Sequence, residues 1–130
     1  MGKHAVSTTA APAPVAAFSQ AVRKGNILQV AGQVGIDPAT GEVAEGGIAG
    51  QTRQVFANLR AVLEAAGADF DDVLMMRAYL TDTAHFAEFN AVYNELINEF
   101  AAEPYPARTT VYVDLPRGLL VEIDALAVLD

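Results

Sequence analysis

Residues Gln51–Leu80 read QTRQVFANLRAVLEAAGADFDDVLMMRAYL, and two different apolar periods meet within them. In the first half Val55, Phe56, Leu59, Val62, Leu63 and Ala66 recur at steps of three and four, which lines them along one stripe of a helix over Gln51–Ala66. Gly67 follows at the position where a helix commonly ends in the left-handed conformation. From Asp72 the period becomes two. Leu74, Met76, Ala78 and Leu80 fall on one face, and Val73, Met75, Arg77 and Tyr79 on the other. Both sets are largely apolar, so the strand is expected to be covered on both sides.

Reading outward, TDTAHFAEFNAVYNELINEF predicts a second helix, capped by Asp82 or Thr83, with Phe86, Phe89, Tyr93, Leu96, Ile97 and Phe100 as its buried stripe and Asn90 just beside it. Pro104 and Pro106 forbid its continuation. RTTVYV and LLVEIDALAV then read as strands joined by DLPRG, folded into a hairpin about Pro116. On the N-terminal side, FSQAV and NILQVAGQV flank a Lys24-Gly25-Asn26 turn and predict an early hairpin, and DPATGEV is a dense turn signal. Residues 1–14, rich in Ala, Pro, Ser and Thr, read as a flexible tail, leaving 15–130 as a single domain. Two helices cover one face of the resulting sheet, and the other face calls for a partner subunit.

Composition bounds the chemistry. A formal charge of −8, from 16 acidic against 8 basic residues, disfavours nucleic acid and anionic lipid as partners. With 52% hydrophobic and only 18% charged residues, apolar side chain is left over for an oligomer interface. There are no cysteines, hence no disulfide or thiolate chemistry. No apolar run reaches the length of a membrane span, and the N-terminus lacks the apolar core of a signal peptide, so the expected location is cytoplasmic. His4 and His85 are the only histidines and nothing stands at metal-ligand spacing. Ser7 and Ser19 are in no nucleophile elbow, and the glycines of AGQVGIDPATGEVAEGGIAG form no phosphate loop, so no cofactor or metal is expected.

What remains is a charge pair. Period two puts Arg108, Thr110, Tyr112 and Asp114 on one face, and Glu122 and Asp124 with Leu120 and Leu126 on another, opposite the aliphatic Val121, Ile123, Ala125 and Ala127. In the expected hairpin Arg108 lies opposite Asp124, one same-face step from Glu122, on the side the helices leave open. There a guanidinium can clamp a carboxylate bidentately, and Glu122 can hold a water and move protons. The competing reading is a purely structural cross-strand ion pair.

AGQVGIDPATGEV, QTRQVFANLRAVLEAAGADFDDV, FNAVYNELI, YPART and VEIDALAV stand in the order and spacing of one family, so that nearly the whole chain resembles the RidA/YjgF enamine and imine deaminases. The resemblance implies an α+β, chorismate-mutase-like fold, one mixed sheet with two helices on one face, assembled as a homotrimer with clefts between subunits. It implies hydrolysis of 2-imino and enamine acids to 2-keto acids and ammonia, without a cofactor. Carried over by position, the carboxylate-binding arginine is Arg108, the water-positioning glutamate Glu122, the helix asparagine Asn90 and the strand glycine Gly32. The family's tyrosine, serine and cysteine are replaced here by Phe18, Ala31 and Thr110, which makes the expected pocket more apolar. The alternative function is a non-catalytic trimeric module that binds small carboxylates or a protein partner.

Overall fold

The computed structural model describes residues 2–130. Six strands form one mixed sheet: β1 (His4–Val6), β2 (Ala21–Lys24), β3 (Ile27–Val34), β4 (Val73–Leu80), β5 (Ala107–Tyr112) and β6 (Val121–Val128), in the order β1-β2-β3-β6-β4-β5. The helices α1 (Gly47–Ala65) and α2 (Phe86–Phe100) pack on one face. This is the expected α+β architecture, one mixed sheet with two helices on one side.

The early hairpin forms as its turn residues dictate. Lys24 pairs with Ile27 across Gly25-Asn26, and Gly25 takes the positive φ of 60° that a tight two-residue connection demands. Helix α1 starts four residues before the expected Gln51, and Gly67, at φ 76°, sits just beyond its end. Its stripe of Val55, Phe56, Leu59, Val62 and Leu63 is fully buried. Phe56 stacks on Phe70, with ring centroids 5.5 Å apart, and meets Tyr93 of α2 edge-on at 5.4 Å, so aromatic packing joins the two helices over the sheet. Asp82 caps a single 3-10 turn that leads into α2, its side chain accepting from the Ala84 N–H at 2.8 Å.

Three expectations are corrected. First, β5 and β6 do not form a hairpin. β5 runs parallel to β4, returning through α2, whereas β6 inserts antiparallel between β3 and β4. The β4–α2–β5 crossover buries the stripe of α2 on the sheet, which a β5–β6 hairpin would leave unpaired. Arg108 is therefore in register with Met76, and the residue facing Asp124 is Arg77. Second, β4 does not alternate strictly. A bulge in its pairing with β6 between Val73 and Met75 leaves Leu74 56% exposed, while Val73, Met76, Ala78 and Leu80 face the core. Third, the segment expected to be a flexible tail is in part paired among its described residues 2–14. His4–Val6 pair with β2 as an edge strand, and Ala11 is buried. The buried Gln20 side chain secures the segment, accepting from the Thr8 N–H at 2.7 Å and donating to the carbonyls of Thr8, Ala11 and Pro12 at 3.0, 3.3 and 2.9 Å. Composition counted little apolar surface there and missed this polar clasp.

The sheet face away from the helices is uncovered by the chain itself. It carries Ile27, Val111 and Val113, all exposed, together with Met75, Leu126 and Val128. The double cover expected for β4 is thus absent among the described residues.

Candidate functional site

The expected site residues fall into two groups on opposite faces of the sheet. Arg108 lies on β5, the edge strand, in register with the fully buried Met76 and pointing to the helix side. Its guanidinium carbon is 4.5 Å from the ring centroid of Tyr93, 5.7 Å from that of Phe89 and 6.0 Å from that of Phe86, all on α2. Glu122 lies on β6 between the buried Val121 and Ile123, which face the helices, so its own side chain rises from the open face. Within one chain the structure does not bring Arg108 and Glu122 together, contrary to the expected shared face. That expectation rested on the β5–β6 hairpin, which does not form. At an edge strand the layer ends, and the guanidinium lies against the aromatic rings of α2.

Around Arg108, Thr110 follows two residues on along the same side of β5, and Asn90 sits on α2 beside Phe89. The Asn90 Oδ1 is buried and has no hydrogen-bond partner, as is also true of the His85 Nδ1 at the start of the same helix. A buried polar atom without a hydrogen bond is costly, which sets these two atoms apart from the rest of the helix. Arg108 joins no ion pair among the described residues. The structural ion pair of Arg108 with Glu122 weighed against the clamp is absent among the described residues; the cross-strand pair that forms is that of Arg77, whose Nε donates to Asp124 Oδ1 at 2.7 Å, while the Tyr79 hydroxyl donates to Oδ2 at 2.9 Å.

The second group is built on a defect in the sheet. The register between β3 and β6 slips between Val30 and Gln33, so that Ala31 and Gly32 together oppose Asp124. The Ala31 N–H leaves the ladder and donates to the Gln20 carbonyl at 2.9 Å. Gly32 then supplies the space in which the Glu122 carboxylate lies. A β-carbon at position 32 would stand 2.8 Å from the Glu122 carboxyl carbon and closer still to Oε2. Burial first, and the neighbouring negative charge of Asp124 second, push the Glu122 carboxyl above the ordinary glutamate range.

Beside Gly32 a recess of about 220 Å³ is lined by Phe18, Val34, Ile36, Leu119 and the stem of Arg117, with Gln33 at its wall. Phe18 is 51% exposed at this recess, and its apolar ring, like the methyl of Ala31, offers no hydrogen bond. One wall depends on residues that the apolar pattern did not single out. Gln51, buried on α1, donates to the Gly118 carbonyl at 3.2 Å and accepts from the Leu120 N–H at 2.8 Å, which holds the loop entering β6. Asn58 donates to the carbonyls of Val34 and Ile36, both at 3.0 Å, and holds the end of β3. Both amides lie on the buried side of an otherwise apolar helix, and that intrusion was the available signal.

Among the described residues, no group of three or more His, Cys, Asp and Glu side chains is placed to hold a metal, and no helix is long and apolar enough to cross a membrane.

A family model described as Endoribonuclease L-PSP matches residues 8–129. A RutC family protein of Pyrococcus horikoshii is 46% identical over 126 residues, covering 96% of this chain and 97% of that one. A 2-iminobutanoate/2-iminopropanoate deaminase of Dermatophagoides farinae is 38% identical over 129 residues, covering 98% of both. The crystal structure of RidA from an Antarctic Psychrobacter superposes with a TM-score of 0.88 at 42% identity, over 97% of this chain and 99% of that one.

Proposed function

The chain belongs to the Endoribonuclease L-PSP family, that of the RidA/YjgF proteins, and on that footing we propose that it is a cytoplasmic hydrolase that deaminates 2-imino and enamine acids in clefts between the subunits of a homotrimer. The observation that carries this reading is the division of the site: a caged arginine without a carboxylate partner at one edge, and a glutamate of raised pKa over a glycine on the opposite face. A neighbouring copy, seated on the uncovered sheet face, closes one half against the other. The same contact covers Ile27, Val111 and Val113.

In this mechanism Arg108 binds the substrate carboxylate through paired N–H donors, and the family's naming of close relatives as imine deaminases supports the choice of substrate class. Asn90 Oδ1 accepts a proton-bearing group at the cleft, and Thr110 offers its hydroxyl. A water held by Glu122 bonds to the imine carbon. Its proton passes through the glutamate to nitrogen, giving a carbinolamine. The hydroxyl proton then passes, again through the glutamate, to the amine nitrogen, and the C=O forms as the C–N bond breaks and ammonia leaves. A carboxyl raised above its ordinary range by burial and by Asp124 holds the proton more firmly than a free glutamate before passing it on. Phe18 and Gly32 line the side-chain recess, which favours apolar substrates. The net charge of −8 weighs against a nucleic-acid substrate.

The test generates 2-imino acids with an amino-acid oxidase, traps surviving imine with semicarbazide, and compares wild type with Arg108→Ala and Glu122→Gln. Turnover above background that is lost in both variants supports the proposal. No turnover, with 2-oxobutanoate still bound through Arg108, turns the reading to the non-catalytic carboxylate-binding module.

A further inference from the structure

We propose that Tyr93 is the positioning residue of the anion anchor: its ring, aided by Phe89 and Phe86, holds the Arg108 guanidinium in its carboxylate-receiving orientation before any ligand arrives. The proposal rests on the reading of Arg108 as the substrate clamp, and it adds a role for a side chain that the sequence pattern assigns only to the helix stripe.

Residues 86, 89 and 93 step by three and four, which places all three rings on one side of α2. Their centroids stand 6.0, 5.7 and 4.5 Å from the Arg108 guanidinium carbon, so Tyr93 makes the close contact and Phe86, 38% exposed, forms the rim. An arginine side chain on a solvent edge samples many rotamers, and a carboxylate that binds it must remove that freedom. A ring face removes it in advance without consuming the N–H donors, which a carboxylate partner would occupy.

Tyr93 is itself immobilised. Its hydroxyl donates to Met76 Sδ at 3.3 Å, and its ring meets Phe56 at 5.4 Å and Phe89 at 5.7 Å. Met76 is the register partner of Arg108 on the adjoining strand. The ring is therefore fixed to the same point of the sheet as the guanidinium it supports. Burial lifts the phenol above its ordinary range, and the positive Arg108 opposes that rise only in part, so what Arg108 meets is a neutral ring.

Three variants separate positioning from packing. Tyr93→Phe keeps the ring and drops the hydroxyl, Tyr93→Leu keeps apolar volume and drops the ring face, and Phe86→Leu thins the rim. Two readouts apply to each: the proton and 15N shifts of the Arg108 side chain, assigned by their loss in Arg108→Lys, and kcat and KM for 2-iminobutanoate generated in situ. Wild type and Tyr93→Phe show Arg108 side-chain protons displaced upfield by the ring. In Tyr93→Leu that displacement collapses and KM rises about tenfold with kcat within about twofold, as expected when an interaction made equally in ground and transition states is weakened.

A folded Tyr93→Leu that keeps the displaced shifts, or loses them with KM unchanged, overturns the proposal. If Tyr93→Leu does not fold, Phe86→Leu decides: a smaller loss of displacement with a KM increase of about two- to threefold supports it, and no change in either overturns it. If the wild type turns over no imine, the deaminase reading fails separately. The shifts and calorimetric binding of 2-oxobutanoate then decide the positioning, and equal affinity in wild type and Tyr93→Leu overturns it.

Discussion

Replacing Gly32 with alanine tests the geometry of Glu122 with the smallest possible change. The backbone at 32 is not among the positive-φ positions, so alanine adds no strain there. The new β-carbon would stand 2.8 Å from the Glu122 carboxyl carbon and 3.1 Å from its Cγ, where 3.4 Å is ordinary contact. The carboxyl carbon must retreat by at least about 0.6 Å and the nearer oxygen by more than about 1 Å. That oxygen ends a flexible side chain over an open face, so the adjustment is inexpensive to the fold. Catalysis is a different matter, because a displacement near 1 Å at a reacting group can cost about a hundredfold in rate, or about 2.7 kcal/mol of barrier. Arg108, on the other face, is untouched. The expected result in the semicarbazide assay is a kcat loss of about a hundredfold, KM within about threefold, and a melting temperature within about 3 °C of wild type. A kcat within about twofold of wild type would refute the claim that Gly32 exists to seat the Glu122 carboxylate. A loss carried wholly by KM would place Glu122 in binding rather than proton transfer.

The raised pKa of Glu122 predicts an acidic limb of kcat/KM above the ordinary glutamate range; Asp124→Asn removes one cause of the rise and should move that limb to lower pH, whereas an unmoved limb would assign it to another group. For stability the sign is fixed by the folded carboxyl holding its proton more tightly than the unfolded one: the contribution is complete below the unfolded pKa and is lost as pH rises through the folded pKa. Melts across that window should therefore show Glu122→Gln gaining on wild type as pH rises, and a constant difference would contradict the shift. Gln20→Ala leaves the Thr8, Ala11 and Pro12 groups without their partner and should cost about 1–3 kcal/mol, with proteinase K cutting within residues 7–14; unchanged stability and resistance would mean that β1 alone retains the segment.

Much of this molecule was legible from periodicity. The stripes of α1 and α2 and the turn at Gly25-Asn26 are local signals, and local physics decides them. The pairing of β5 was not legible, because neighbours in sequence joined by a short loop look like a hairpin, while the competing parallel pairing with β4 gains its advantage from burying α2 over residues 86–100. Leu74 was misplaced for a related reason: a one-residue bulge inverts every face assignment on its N-terminal side. At the candidate site, alternation singled out Arg108 and Glu122 and put Glu122 on the open face, where it lies, but assigned Arg108 to that face as well, and Gly32 entered only through the resemblance. Alternation tells which residues share a side, and only the packing of α2 tells which side that is. The clasp by Gln20 and the loop anchor by Gln51 left no apolar trace at all, since each acts through amide hydrogen bonds to backbone distant in sequence.

The central position of β6 also governs the order in which this chain can fold. β6 follows every other element in sequence, yet it alone joins the β1-β2-β3 ladder to the β4-β5 ladder. Without Val121–Val128 the two ladders share no pairing, and the edges of β3 and β4 that β6 covers would be open to other chains. Glu122 travels on that same late strand. Glu122, the second residue of that strand, is therefore brought over Gly32 only by the pairing that completes the sheet.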